Sequence, residues 1–364
     1  MFLNPRRSRL VFPIAAFCIG SFLLPAVSHS QVTSKNNKRL RDALRDYPQA
    51  DTNKDGVLTQ KEGLAFLQKM KRQRQGRNQQ AAVPITHKDI RYGQYNRNAL
   101  DLWLAESDKP TPLLICIHGG GFSGGDKSSF YRSPIVKKML DAGISVATIN
   151  YRLTEGGKNP YPIPMHDSAR AVQFLRHNAS KYNLNKTRFA ATGGSAGGTI
   201  TLWLGFHDDL ADKDNDDPVL RESTRLIACA PNAAQPSVHL PTLLKWFDVE
   251  SLVEHGGGRP LFGIKDNGEL EMTKKLDRIS RDASPITHLT QDDPPVFFSA
   301  GNYKKVSKDM SANAWVHHPI MGIRLKESMD KIGVESHVQY SGGPKVEAYE
   351  NSAEFIIRKL NLSK

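Results

Sequence analysis

The chain has 364 residues, 39% of them apolar and 24% charged. That balance is ordinary for a globular protein, so disorder is not the expectation, and the length leaves room for a domain of more than about 250 residues with a small appendage. The net charge of +13 favours anionic surfaces or polysaccharides, but no nucleic-acid-binding motif accompanies it, so nucleic acid is not an expected partner. Cys116 and Cys229 sit in separate apolar, strand-like runs, which points to two buried thiols and against a disulfide framework.

Residues 1–30 read as an export signal. Arg6, Arg7 and Arg9 precede an apolar run at 10–27, and Ser28-His29-Ser30 supplies small residues before Gln31. Cleavage there would send the chain to the periplasm or outside the cell; left uncleaved, the same run would be an anchor. Residues 31–70 carry a helical pattern around Leu40 and Leu44, then the stretch from Asp51 to Glu62. That stretch satisfies D-x-[DN]-x-[DN]-G-x5-E at every position, and so resembles the calcium loop of an EF-hand. The resemblance implies calcium held by side-chain oxygens of Asp51, Asn53 and Asp55, the Val57 carbonyl, Thr59 through water, and Glu62 with both oxygens. Gly56 stands where the loop must turn sharply. Residues 71–83 are basic, rich in Gln and poor in large apolar groups, and are expected to be a linker.

From residue 84 to the end, strand and helix patterns alternate, which predicts an α/β domain with a mainly parallel sheet and helices on both faces. Residues 85–92 and 100–105 read as an opening hairpin. Strands are expected at 113–117, 144–151, 188–192, 226–231, 295–298 and 336–340, and helices near 133–142, 165–182, 320–332 and 348–360. Residues 232–290 break the alternation and are expected to form a cap-like insertion.

Two motifs give this domain its chemistry. The strand at 113–117 runs into His118-Gly119-Gly120-Gly121, and that at 188–192 into Gly193-Gly194-Ser195-Ala196-Gly197 before an apolar helix. The second is G-x-S-x-G in strand–turn–helix context, where a serine is pushed out above the sheet edge. With these residues the stretch from about 84 to 362 resembles the α/β-hydrolase superfamily, specifically esterases of the bacterial hormone-sensitive-lipase type. The resemblance implies that Ser195 attacks an ester carbonyl, while the N–H groups of Gly120, Gly121 and Ala196 hold the oxyanion. Such acyl transfer needs no cofactor, and its substrate would be a small ester or an acylated carbohydrate. A second His255-Gly256-Gly257-Gly258 follows no strand and reads as a loop. His118 is expected to shape the oxyanion turn, and His166 and Asp167 to be structural.

The partners of the serine depart from the family pattern, whose chain order is Ser, then Asp or Glu, then His. Lys304 falls near the expected acid, and the nearest carboxylate is Asp309, beyond an apparent insertion. No His follows His337, and Lys345 sits near the expected base. Three readings stay open. Either His317 or His318, with His318 favoured, acts as base with Asp309 as its orienter; or Lys345, neutral, takes that role; or hydrolysis is lost and the fold binds an acyl or sugar ligand.

Overall fold

The computed structural model describes residues 32–77, 82–265, 271–307 and 310–361. The export signal and Asp309 lie outside the described residues. The chain divides into two compact units, Met1–Phe66 and Leu67–Lys364.

In the first unit, helix α1 (Lys38–Asp46) is capped by Asn37, whose side chain accepts the Leu40 N–H. Leu40, Ala50 and Leu58 are buried together, with Phe66 packed against them. The Asp51–Glu62 stretch is tied back to the segment before α1, because the Ser34 N–H donates to the Leu58 carbonyl at 2.8 Å. Helix α2 (Gln60–Arg77) continues through 71–77, which the sequence suggested was linker. Lys, Arg and Gln lose little rotamer freedom in a helix; their lack of an apolar face argued against packing, not against helix.

The second unit is built on one eight-stranded sheet: β1 (His87–Arg91), β2 (Ala99–Trp103), β3 (Thr111–Ile117), β4 (Ser145–Ile149), β5 (Leu184–Gly194), β6 (Cys229–Asn232), β7 (Val296–Asn302) and β8 (Ser336–Ser341). Their spatial order is β1-β2-β4-β3-β5-β6-β7-β8. The opening hairpin pairs antiparallel, as does β2 with β4, and every later pairing is parallel. In β3, Leu113, Ile115 and Ile117 belong to one buried cluster, and Leu114 and Cys116 to the other. A strand covered on both faces must be apolar at nearly every position, so β3 shows no alternation.

Helices α3 (Pro134–Asp141) and α11 (Ser352–Asn361) cover one face; α4 (Ile163–His177), α5 (Ala196–Phe206) and α10 (Ile320–Lys331) cover the other. This is the doubly covered α/β sheet that the resemblance implied. The 232–290 insertion holds α6 (Leu240–Phe247), α7 (Gly258–Leu261) and α8 (Lys274–Asp282). Buried His239 links α6 to α8 through a 2.9 Å contact with Asp277. A five-residue helix, α9 (Ala312–Val316), precedes α10. Cys116 and Cys229 are both buried free thiols, and burial raises the pKa of each.

Candidate active site

At the end of β5 the backbone reverses direction in one residue. Ser195 sits at φ 53°, ψ −123°, and α5 begins with the next residue. A non-glycine residue at positive φ is strained, and here the strain lifts the hydroxyl off the sheet edge. The turn closes only because its neighbours lack side chains: a Cβ on Gly197 would lie 2.1 Å from the Ile117 carbonyl oxygen. The Ser195 N–H donates to the Asn232 carbonyl at 2.9 Å, fastening the turn to β6.

The loop after β3 lies alongside. His118 is buried and committed on both ring nitrogens. Its Nδ1–H donates to the Gly119 carbonyl at 2.8 Å, and Arg97 donates to its Nε2 at 3.1 Å. The ring stacks on Tyr151 at 4.4 Å between centroids, and the Tyr151 hydroxyl donates to the His118 carbonyl. Burial pushes its pKa down to about 4, so at neutral pH it is an uncharged strut. Gly120 has φ 114°, and a Cβ there would lie 2.4 Å from the Gly124 carbonyl oxygen. The N–H groups of Gly120, Gly121 and Ala196 have no hydrogen-bond acceptor among the described residues. They remain available to a substrate oxygen, and that of Ala196 lies at the start of α5, where the helix dipole favours negative charge.

The base side is built by α9 and the turn that follows it. His317 Nε2 lies 2.9 Å from Ser195 Oγ, and its Nδ1–H donates to the Asn313 carbonyl at 3.0 Å. The second bond fixes the tautomer: the proton sits on Nδ1, so the Nε2 lone pair accepts the serine hydroxyl. Burial lowers the pKa of His317; the Asn313 carbonyl opposes that shift, and the nearby His255 adds to it.

His318, favoured from the sequence, faces elsewhere. Its Nε2–H donates to the Lys304 carbonyl at 2.7 Å, and its Nδ1 accepts the Ile320 N–H at 3.1 Å. Its ring packs against Tyr303 and Phe247. Successive residues leave a helical turn about 100° apart, so one of two adjacent histidines meets the serine and the other enters the wall behind it. Lys304, which spacing put at the acid position, contributes its main-chain carbonyl to that wall. Lys345 is exposed and pairs with Glu347 at 3.0 Å, so it is not the buried neutral lysine that a base would need. His166 is exposed beside Trp203, while Asp167 takes three hydrogen bonds from Arg152. The residue that sequence reasoning missed is Asn313. A main-chain carbonyl has no side-chain signature, and only the four-residue spacing to His317 hinted at it.

The sequence matches the BD-FAE family over residues 100–313. The chain belongs to that family. The match takes in both glycine motifs of this BD-FAE chain and ends before His317. Among curated proteins, it is similar to the probable carboxylic ester hydrolase LipM of Mycobacterium tuberculosis, with 28% identity over 244 residues, 63% of this chain and 50% of that protein. It is also similar to the versiconal hemiacetal acetate esterase of Dothistroma septosporum, with 25% identity over 241 residues, 65% of this chain and 66% of that one. The chain thus spans about half to two thirds of the length of these relatives. A truncated carbohydrate esterase from gut microbiota superposes with a TM-score of 0.59 at 19% identity, over 78% of this chain and 99% of its own. It shares the α/β-hydrolase fold.

The Asp51–Glu62 loop of the first unit has the turn that its glycine allows, with Gly56 at φ 79°. The Asp51 carboxylate accepts the N–H groups of Lys54 and Gly56, each at 2.8 Å. Asn53 and Asp55 accept the N–H groups of Asp55 and Val57. Glu62 accepts from both the N–H and the hydroxyl of Thr59 and of Thr52. The bonds from Thr59 lead in lowering its pKa to about 2, so it is anionic at neutral pH. An oxygen-only donor set of this kind fits a hard cation such as calcium. Among the described residues, however, no three His, Cys, Asp or Glu side chains converge in the arrangement of a metal site. Glu62 would have to exchange its threonine partners for the ion.

Proposed function

We propose that this chain is a serine ester hydrolase whose working pair is Ser195 and His317, acting on short acyl esters, acetylated carbohydrates among them. The observation that carries the reading is the 2.9 Å contact from Ser195 Oγ to His317 Nε2. His317 takes the hydroxyl proton as Oγ attacks the ester carbonyl. The negative charge that forms on the carbonyl oxygen is met by the N–H groups of Gly120, Gly121 and Ala196. His317 then gives its proton to the departing alkoxide. A water molecule, deprotonated by the same imidazole, releases the acid from Ser195.

What differs from a triad is the orienter. The Asn313 carbonyl holds the imidazole in the right tautomer, but as a dipole it stabilises the imidazolium less than a carboxylate would. The choice of substrate class draws on the acetate esterase and carbohydrate esterase among similar proteins. The +13 charge suits an anionic surface or polysaccharide.

The test uses protein lacking residues 1–30. It should hydrolyse p-nitrophenyl acetate, and a fluorophosphonate should label Ser195. Ser195→Ala should lose about 10⁴–10⁶-fold in kcat. Equal rates in the two proteins would overturn the assignment and leave a ligand-binding module on the same fold. We further infer that the protein is exported and that the Asp51–Glu62 loop takes calcium; the complete oxygen donor set supports the latter. Titration calorimetry with calcium should report one site in the full chain and none in Glu62→Gln.

A further inference from the structure

The second His-Gly-Gly-Gly segment, at 255–258, has the composition of the first but a different position. It belongs to the insertion, yet it packs on the oxyanion loop. Gly257 presses so closely on Gly121 that a Cβ at 257 would lie 2.5 Å from the Gly121 carbonyl oxygen. His255 Cε1 lies 3.2 Å from where a Cβ on Gly121 would stand. The segment is also fastened to the base side. The Trp315 indole, two residues before His317, donates to the Val253 carbonyl at 2.6 Å, two residues before His255. One short stretch of the insertion thus touches both halves of the candidate site.

Behind it lies a cavity of about 190 Å³, lined by His255, Leu243, Leu252, Phe262, Leu276 and Trp315 among others. Its walls are mostly apolar, and His255 is the member that also reaches Gly121. The Gly257 N–H donates to His255 Nδ1 at 3.2 Å, so the ring is held by its own loop and its proton sits on Nε2. A half-buried ring fixed in this way is a partition, with the oxyanion loop on one side and an apolar space on the other.

We infer that His255 is a specificity-determining positioning residue: it braces Gly121 and closes the apolar cavity off from Ser195, restricting the acyl group to a short one. The inference rests on the ester-hydrolase reading. With the partition in place, an acetyl-sized group fits beside Ser195; with it removed, the cavity joins the site and accepts a longer aliphatic chain. An apolar pocket discriminates by roughly 10–200-fold for a methylene gained or lost.

The experiment measures kcat and KM on p-nitrophenyl acetate, butyrate and hexanoate for wild type, His255→Ala and His255→Asn. His255→Ala should raise the hexanoate-to-acetate ratio of kcat/KM by about tenfold or more, with the acetate loss falling mainly on kcat. His255→Asn, polar but shorter, should shift the ratio part of the way. A structural role alone would lower all three esters in proportion, so a wild-type ratio in His255→Ala overturns the inference. If His255→Ala does not fold, an unchanged ratio in His255→Asn overturns it equally. If the wild type neither turns over an ester nor reacts with a fluorophosphonate, the ester-hydrolase reading itself has failed, and this inference falls with it.

Discussion

The serine itself is held by main chain from neighbouring strands, whereas the base hangs from a helix of five residues. At the elbow, Gly197 lies against the Ile117 carbonyl and the Ser195 N–H is taken by Asn232, so three neighbouring strands fix one strained residue. The oxyanion loop is fixed by a buried histidine with both nitrogens occupied. On the base side, α9 is tied to remote segments by side chains: Trp315 donates to the Val253 carbonyl, and Gln235 to the Val316 carbonyl, each at 2.6 Å. The difference follows from what each half must do. Holding a strained nucleophile and aimed N–H groups needs backbone geometry that only these adjacent parallel strands supply. Bringing one imidazole within hydrogen-bond reach can be done from another loop of the same sheet edge.

The pair of adjacent histidines gives the sharpest way to break this contrast. His317→Ala should lower kcat by about 10²–10⁴-fold with little change in melting temperature. His318→Ala should do the reverse: its lost bonds to Lys304 and Ile320 cost about 1–3 kcal/mol of stability by denaturant titration, while kcat stays near wild type. If His318→Ala loses the activity and His317→Ala keeps it, the geometry at the serine has been misassigned.

A smaller effect separates the carbonyl-oriented base from a carboxylate-oriented one. Protonating His317 removes the lone pair that accepts the serine proton, so activity falls below its pKa. Burial lowers that pKa from the ordinary value of 6.5, whereas a carboxylate partner would raise it. The acidic limb of kcat/KM should therefore lie below pH 6.5, with activity still full at neutral pH and lost only in more acidic solution. A limb above that value in the free enzyme would mean that a negative charge faces the imidazole.

The smallest expected effect is the most specific. Asn313→Ala should leave both kcat/KM and the pH limb at wild-type values, because the group that orients His317 is the main-chain carbonyl, which alanine also has. A substantial loss would assign the work to the Asn313 side chain and remove the carbonyl from the account.

The sequence by itself determined the parts whose chemistry is written in backbone permission. Gly193, Gly197 and Gly119–Gly121 are legible because few other residues fit a turn with positive φ or a carbonyl within a side chain's reach. The apolar core of the sheet is legible for a related reason: burial on both faces leaves β3 apolar at every position from Leu113 to Ile117. Tertiary structure decided the rest. Whether His317 or His318 meets Ser195 depends on the rotation of one helical turn, which composition does not encode. Asn313 orients that base through an atom that every residue carries. His255 came beside Gly121 only when a segment remote from it in sequence folded over the oxyanion loop, and a glycine pattern that follows no strand gives no sign of the surface it will meet.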